Sequence, residues 1–94
     1  MEEGRAVRLP TALCVAPNPV AGSGRVKFTQ GRAGQTSCAV YDAGGRRVAT
    51  LFDGALGAGR HEFDWNAAGL NPGVYVVRVD GVASGAVRVV KAAR

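Results

Sequence analysis

The clearest indication of the fold is the stretch Arg60-His61-Glu62-Phe63-Asp64-Trp65, in which charged side chains alternate without interruption with side chains that carry a ring. Successive side chains of an extended strand point to opposite faces of a sheet. The three rings therefore share one face, and the three charged side chains share the other. This alternation predicts a half-buried strand whose tryptophan enters the core.

Six more segments rich in apolar or β-branched residues lie on both sides of this stretch, and each is bounded by residues that form turns. One boundary, Asp42-Ala43-Gly44-Gly45, predicts a hairpin with an aspartate capping the turn and glycines adopting positive φ. Another, Asp53-Gly54, is expected to end the fourth strand. The other predicted strands are residues 12–16, 25–29, 36–41, 46–52, 74–80 and 86–90.

Seven short strands with turns every 8–12 residues predict an all-β fold, a seven-stranded antiparallel immunoglobulin-like β-sandwich. Residues 12–94 are expected to form this one domain. Residues 1–11, which are mostly polar and include Pro10, are expected to form a linker or disordered arm. The predicted core is Val15, Val26, Phe28, Cys38, Val40, Phe63, Trp65, Tyr75, Val77, Val79, Val87 and Val89.

Composition narrows the functional classes. The chain has 94 residues, 47% of them hydrophobic and 20% charged, with a net charge of +5 and fourteen glycines. The arginines are scattered and lack the interleaved aromatic residues of a single-strand platform, so we expect no nucleic-acid partner. No apolar run reaches the roughly 18 residues of a membrane span. Residues 1–5 do not resemble a signal peptide, so any export signal is expected outside this sequence.

Cys14 and Cys38 leave two alternatives open. One pair of cysteines in an exported protein permits one disulfide. The two residues lie in different predicted strands, however, and small thiols are common in hydrophobic cores.

The titratable residues predict neither an enzyme nor a metal or cofactor site. His61 is the one imidazole, and the neighbouring Glu62 and Asp64 project to the opposite face of its strand. Two cysteines and one histidine do not make a zinc site. The aspartates near turns form no dense calcium loop, which favours turn capping instead.

Five motifs, in order and at regular spacing over residues 12–91, resemble a known family. They are Leu13-Cys14-Val15-Ala16-Pro17-Asn18-Pro19, Val40-Tyr41-Asp42-Ala43-Gly44-Gly45-Arg46-Arg47-Val48, His61-Glu62-Phe63-Asp64-Trp65, Pro72-Gly73-Val74-Tyr75 and the valine-rich last strand with basic residues after it. The chain resembles the C-terminal sorting domains (type A) of the type IX secretion system. It is also similar to the related immunoglobulin-like domain of flagellar hook-capping proteins.

The sorting branch of the resemblance implies an export address at the C-terminal end of a larger bacterial protein. Its partners would be the secretion translocon, surface-processing proteins and an upstream cargo domain of the same chain. The protein would pass through the periplasm to the cell surface or medium. By resemblance, the recognition residues would be Pro17, Asn18, Pro19, Gly73, Tyr75, Gly81 and Lys91.

The hook-capping branch implies a structural module that packs against neighbouring domains or subunits of an extracellular assembly. Such a role predicts a sizeable apolar patch on one sheet face. Val74, Val76 and Val90 face away from the predicted core and are the candidates for that patch.

Overall fold

The structure, a computed structural model, describes residues 12–92. The described residues contain seven strands and no helix, and hence none that could span a membrane. The strands are β1 (Cys14–Ala16), β2 (Ser23–Gln30), β3 (Gly34–Asp42), β4 (Arg47–Leu56), β5 (Gly59–Asn66), β6 (Gly73–Gly81) and β7 (Gly85–Lys91). The predicted arm, residues 1–11, lies outside the described residues.

The strands form two sheets, in the orders β1-β2-β5 and β4-β3-β6-β7, and every pair is antiparallel. The prediction of a seven-stranded immunoglobulin-like sandwich is therefore confirmed. The chain crosses between the sheets after β2, β4 and β5, while tight connections join β3 to β4 and β6 to β7. The smaller sheet thus has three strands and the larger has four, with β4 and β7 as its edges.

The core lies where the inward rows of the two sheets meet. Trp65, Phe28 and the alternate residues of β3 and β6 are almost fully buried, as their period of two requires. Phe63 and Val87 were expected in the core but are only half-buried, because they lie on strands at the edge of their sheets. The expected core did not include three further buried residues, Val20, Ala67 and Ala83, which follow or connect strands.

The expected end of the fourth strand was wrong. β4 continues past Asp53-Gly54 to Leu56, where it pairs with Gly34 at the start of β3. Gly54 lies opposite Thr36 in a regular ladder. Main-chain hydrogen bonds to β3 need no side chain at that position, so the glycine does not terminate the strand.

A buried polar cluster links the sheets beside the end of β4. The Gln30 amide donates to the carbonyl oxygen of Leu56 at 3.0 Å, and the Thr36 hydroxyl donates to the Gln30 side-chain oxygen. The predicted second strand ended at residue 29, but β2 extends to Gln30, which is buried. Its hydrogen bonds offset the cost of burying an amide.

The β3–β4 hairpin is closed by Asp42, as its sequence predicted. The Asp42 carboxylate accepts the backbone N–H groups of Gly44 and Arg46, at 3.0 and 2.9 Å, and Gly45 adopts a φ of 90°. The hydrogen bond from the Arg46 N–H is the main cause that lowers the pKa of Asp42 below its usual range.

Acid should weaken this turn. A carboxyl group with a lowered folded-state pKa stabilises the fold above its unfolded pKa of about 4, and this contribution is lost as the pH falls through the folded value. We expect Asp42→Ala to lower the urea midpoint at pH 7 and the wild-type midpoint to approach that of the variant as the pH is brought to about 2. Asp42→Asn keeps an oxygen acceptor without the titration, so its midpoint should lie above that of Asp42→Ala at pH 7. Urea titrations across this pH range measure the effect, and a constant gap between wild type and Asp42→Ala would contradict it.

The two cysteines are free and lie in different layers. Cys14 is exposed on β1 of the smaller sheet, whereas Cys38 is buried on the inner face of β3 in the larger sheet. Val15 takes the inward position of β1, so the Cys14 side chain points to the opposite face, away from the core that holds Cys38. The two thiols therefore cannot pair without a rearrangement of the backbone. The buried-thiol alternative therefore holds for Cys38.

Candidate functional site

The segment after β1 crosses from the smaller sheet and closes the β7 edge of the larger one. The Val20 N–H donates to the Val90 carbonyl at 2.8 Å, and the Ala92 N–H donates to the Val20 carbonyl at 2.7 Å. The Val90 N–H donates to the side-chain oxygen of Asn18 at 3.1 Å. The Pro17-Asn18-Pro19 turn thus positions a short parallel pairing along the last residues of the sheet.

Six of the seven predicted recognition residues meet at this end of the sandwich. Gly73 pairs with Lys91, which is bridged to Val20, and Tyr75 pairs with Val89 on the same two strands. Gly81 lies at the other end of β6, eight residues from Gly73, or about 26 Å along the strand. The structure therefore brings together Pro17, Asn18, Pro19, Gly73, Tyr75 and Lys91, and leaves Gly81 apart.

Two of the six are buried. Lys91 is 4% exposed, and its ammonium group donates to the carbonyl of Ala92 at 2.9 Å. Tyr75 is 7% exposed and packs edge-on against Trp65, with ring centroids 6.3 Å apart. The turn residues and Gly73 remain exposed. A partner at this end would therefore meet the Pro17-Asn18-Pro19 turn before either of the buried side chains.

Tyr75 forms the corner that leads into β6. Its hydroxyl donates to the carbonyl of Asn71, four residues earlier, at 2.6 Å. A tyrosine near the start of the sixth strand with this bond is a recurrent feature of immunoglobulin-like sandwiches. The bond fastens the connection between the sheets to the core.

Tyr75→Phe should therefore destabilise the domain by about 1–2 kcal/mol, because it leaves the Asn71 carbonyl without its donor. The ring and its contact with Trp65 are kept, so the spectrum of the folded state should not change. Urea unfolding followed by tryptophan fluorescence measures the loss. A wild-type midpoint would show that the corner contributes nothing to stability.

Val74, Val76 and Val90 lie on the outer face of the larger sheet, as their positions in the sequence predicted. Val74 and Val90 are direct neighbours on β6 and β7 and are 40% and 43% exposed. Val76 is half-buried beside them. We call these three residues the valine patch.

Four residues form one row across the larger sheet, and the row passes through Val76 of the valine patch. Strand pairing aligns Arg47, Tyr41, Val76 and Arg88, in that order, from β4 to β7. In the next row Arg78 lies over the Tyr41 ring, 6.0 Å from its centroid, and forms an ion pair with Asp80 at 3.4 Å. The arginines and Tyr41 were not predicted to join this surface. The strand register, once known, places them there.

The outer face of the smaller sheet has a different character. Arg25 lies between Glu62 and Asp64, with N–O separations of 3.5 and 3.4 Å, and all three are exposed. The two carboxylates of this face are thus paired with Arg25, and its exposed positions are mainly polar. His61, on the inner face of β5, lies 2.7 Å from the carbonyl oxygen of Gly57. Within residues 12–92 no group of three or more histidine, cysteine, aspartate or glutamate side chains could hold a metal ion.

Comparison with known proteins gives one family. The model for the FlgD Ig-like domain matches residues 18–85 of the chain. No curated protein matches it. The solved structure of Pseudomonas fluorescens alkylpurine DNA glycosylase AlkC bound to DNA containing an abasic site analog is similar over 86% of this chain, at 19% identity and a TM-score of 0.41. This match covers 29% of the glycosylase chain, and at that identity and score it has no bearing on function.

Proposed function

Because the chain belongs to the FlgD Ig-like domain family, we propose that it is a structural module that packs against a neighbouring domain or subunit of an extracellular assembly. The docking surface is the outer face of the larger sheet, around the valine patch. No chemistry is assigned to the module. Its role is to hold neighbouring parts of the assembly in place.

The exposure of Val74 and Val90 is the observation that supports this surface. Both lie side by side in regular strands, so neither is an isolated surface residue. Clustered aliphatic side chains in an exposed sheet face often mark a protein contact. The outer face of the smaller sheet, where Arg25 is paired with two carboxylates, offers no comparable feature.

The experiment is substitution in the parent protein that contains this module. Val74→Lys with Val90→Lys should prevent assembly, measured by size-exclusion chromatography with light scattering. The isolated domain should lose no more than about 1 kcal/mol of its free energy of unfolding, because the two lysines lie opposite each other on β6 and β7. Ala16→Lys with Ser23→Lys is the matched control, because it adds two lysines at exposed positions of the smaller sheet. Normal assembly of the valine variant, or equal loss with the control, would remove the proposal.

The family match supports the hook-capping branch of the resemblance and adds nothing to the sorting branch. Recognition by a secretion translocon stays a prediction for Pro17, Asn18, Pro19, Gly73, Tyr75, Gly81 and Lys91. Deleting residues 85–94 would test it poorly, because β7 contributes Val89 to the core and all of its ladder with β6. Substitutions in the exposed Pro17-Asn18-Pro19 turn would separate sorting from folding better.

A further inference from the structure

We propose that the valine patch docks on a protein surface whose apolar centre is bordered by aspartate or glutamate. This inference rests on the proposed function and adds the chemistry of the partner. It follows from the charges that lie around the valines.

Two arginines border the valine patch across the sheet. Arg47 and Arg88 are at the two ends of the row that contains Tyr41 and Val76, on the edge strands β4 and β7. Three strand spacings separate them, which is about 14 Å between backbones. Both side chains are exposed. A partner centred on Val76 would therefore meet one guanidinium group on each side.

Neither arginine is neutralised within the described residues. Arg78, in the next row, is held by Asp80 and the Tyr41 ring, whereas residues 12–92 give Arg47 and Arg88 no ion pair. The carboxylates of this face, Asp53 and Asp80, lie two rows from Val76, in the row of Ser37. The end of the sheet that carries the valine patch is thus apolar in the middle and cationic at its borders.

The charges around the valine patch indicate which class of partner would bind there. Docking would draw water away from both guanidinium groups, so each needs a carboxylate across the interface. A second copy of the chain with its strands aligned to those of the first does not supply them. A two-fold axis along the strands places Arg47 opposite Arg88, and one along the row places each arginine opposite its own copy, so cations meet in both aligned arrangements. Nucleic acid is a poorer fit, because the centre is aliphatic and Arg78 covers the Tyr41 ring that could have stacked on a base.

Two substitutions would convert this domain into a test partner whose apolar centre is bordered by carboxylates. Arg47→Glu with Arg88→Glu leaves the valines in place and borders them with carboxylates. By the same two-fold geometry, each glutamate of the variant would face an arginine of the wild type. We expect the wild-type domain and this variant to associate with each other at low salt about tenfold more tightly than either does with itself. The measurement is the chemical-shift change of the ¹⁵N-labelled wild type, which should centre on Val74, Val76 and Val90.

Salt and a matched variant provide the controls. Raising the salt from about 0.02 to 0.5 M should cancel most of the preference, because it screens the ion pairs. Val74→Ser with Val90→Ser in the labelled chain, which removes the apolar centre without adding charge, should abolish the association. Absence of a mixed pair, or self-association of the wild type at least as strong, would overturn the proposal. The proposal would also be overturned if the wild-type domain bound a duplex oligonucleotide more tightly than it binds the variant, and if replacing Arg47 and Arg88 abolished that binding.

The same substitutions separate this inference from the proposed function. In the parent protein, Arg47→Glu with Arg88→Glu should impair assembly as Val74→Lys with Val90→Lys does. If only the valine variant impairs assembly, the module role stands and the acidic partner is wrong. If neither does, both proposals fall.

Discussion

Gly81→Ala is expected to destabilise the domain by about 3 kcal/mol and to lower its melting temperature by about 15 °C. Gly81 has a φ of 125°, which residues with a Cβ atom rarely adopt. A Cβ placed there would overlap the Gln35 carbonyl oxygen and come within 2.9 Å of the Thr36 Cα. That carbonyl accepts the Val82 N–H at 3.0 Å, so it is held against moving aside.

Alanine substitutions at two other glycines distinguish the two causes of this loss, the positive φ and the overlap of a Cβ atom with β3. Gly73 also has a positive φ, 152°, but no atom lies within 4 Å of a Cβ there, so Gly73→Ala should cost about 1 kcal/mol. Gly57 has neither constraint, and Gly57→Ala should change the free energy of unfolding by less than about 0.5 kcal/mol. Thermal and urea unfolding of the three variants give the order. A Gly81→Ala variant as stable as Gly57→Ala would contradict the close approach of β6 to β3.

Cys38 is expected to react with a thiol reagent at least about a thousandfold more slowly than Cys14 in the native protein. Burial raises the pKa of the Cys38 thiol to about 11, so at pH 8 about one molecule in a thousand would carry the reactive thiolate even with access. Access requires opening of the core, which a domain with 5 kcal/mol of stability permits in about one molecule in several thousand. Cys14 is exposed and needs no opening.

Titration with a chromogenic disulfide reagent at pH 8 measures this difference. One equivalent should react at once and a second only after urea unfolds the chain, while Cys14→Ser should remove the fast phase alone. Two fast equivalents would show that Cys38 is not in the core. No reaction until a reductant is added would show a disulfide and contradict the outward orientation of Cys14.

The fold could be predicted from the sequence because its main signals are local. Arg60 to Trp65 alternates with the period of a strand, and Asp42 to Gly45 contains the residues that its hairpin uses. The valine patch could be predicted for the same reason. Alternate residues of a strand point to the same face of the sheet, so the position of each valine in β6 or β7 assigns it to a face. The residues bordering the patch could not, because Arg47, Tyr41 and Arg88 become neighbours of Val76 only through the pairing of four strands.

The other features that the sequence did not predict depend on contacts between residues that are distant in the sequence. Nothing local to Asn18 shows that its side chain accepts the N–H of Val90, 72 residues later. Gln30 fell outside the predicted strand because its buried acceptors, Leu56 and Gly34, lie on other strands. The sequence also did not show that Lys91, a recognition residue by resemblance, is buried on the inner face of β7. In each case tertiary packing decided the environment.

Side-chain footprinting of the parent assembly shows whether the valine patch is the docking surface. The isolated domain and the assembled protein would be labelled with a short-lived carbene reagent, and the modification of each residue compared. We predict several-fold protection of Val74, Val76 and Val90 in the assembly. Lys27 and Glu62, on the outer face of the smaller sheet, should be labelled as strongly as in the isolated domain. Protection confined to the smaller sheet, or equal labelling of the three valines in both samples, would contradict it.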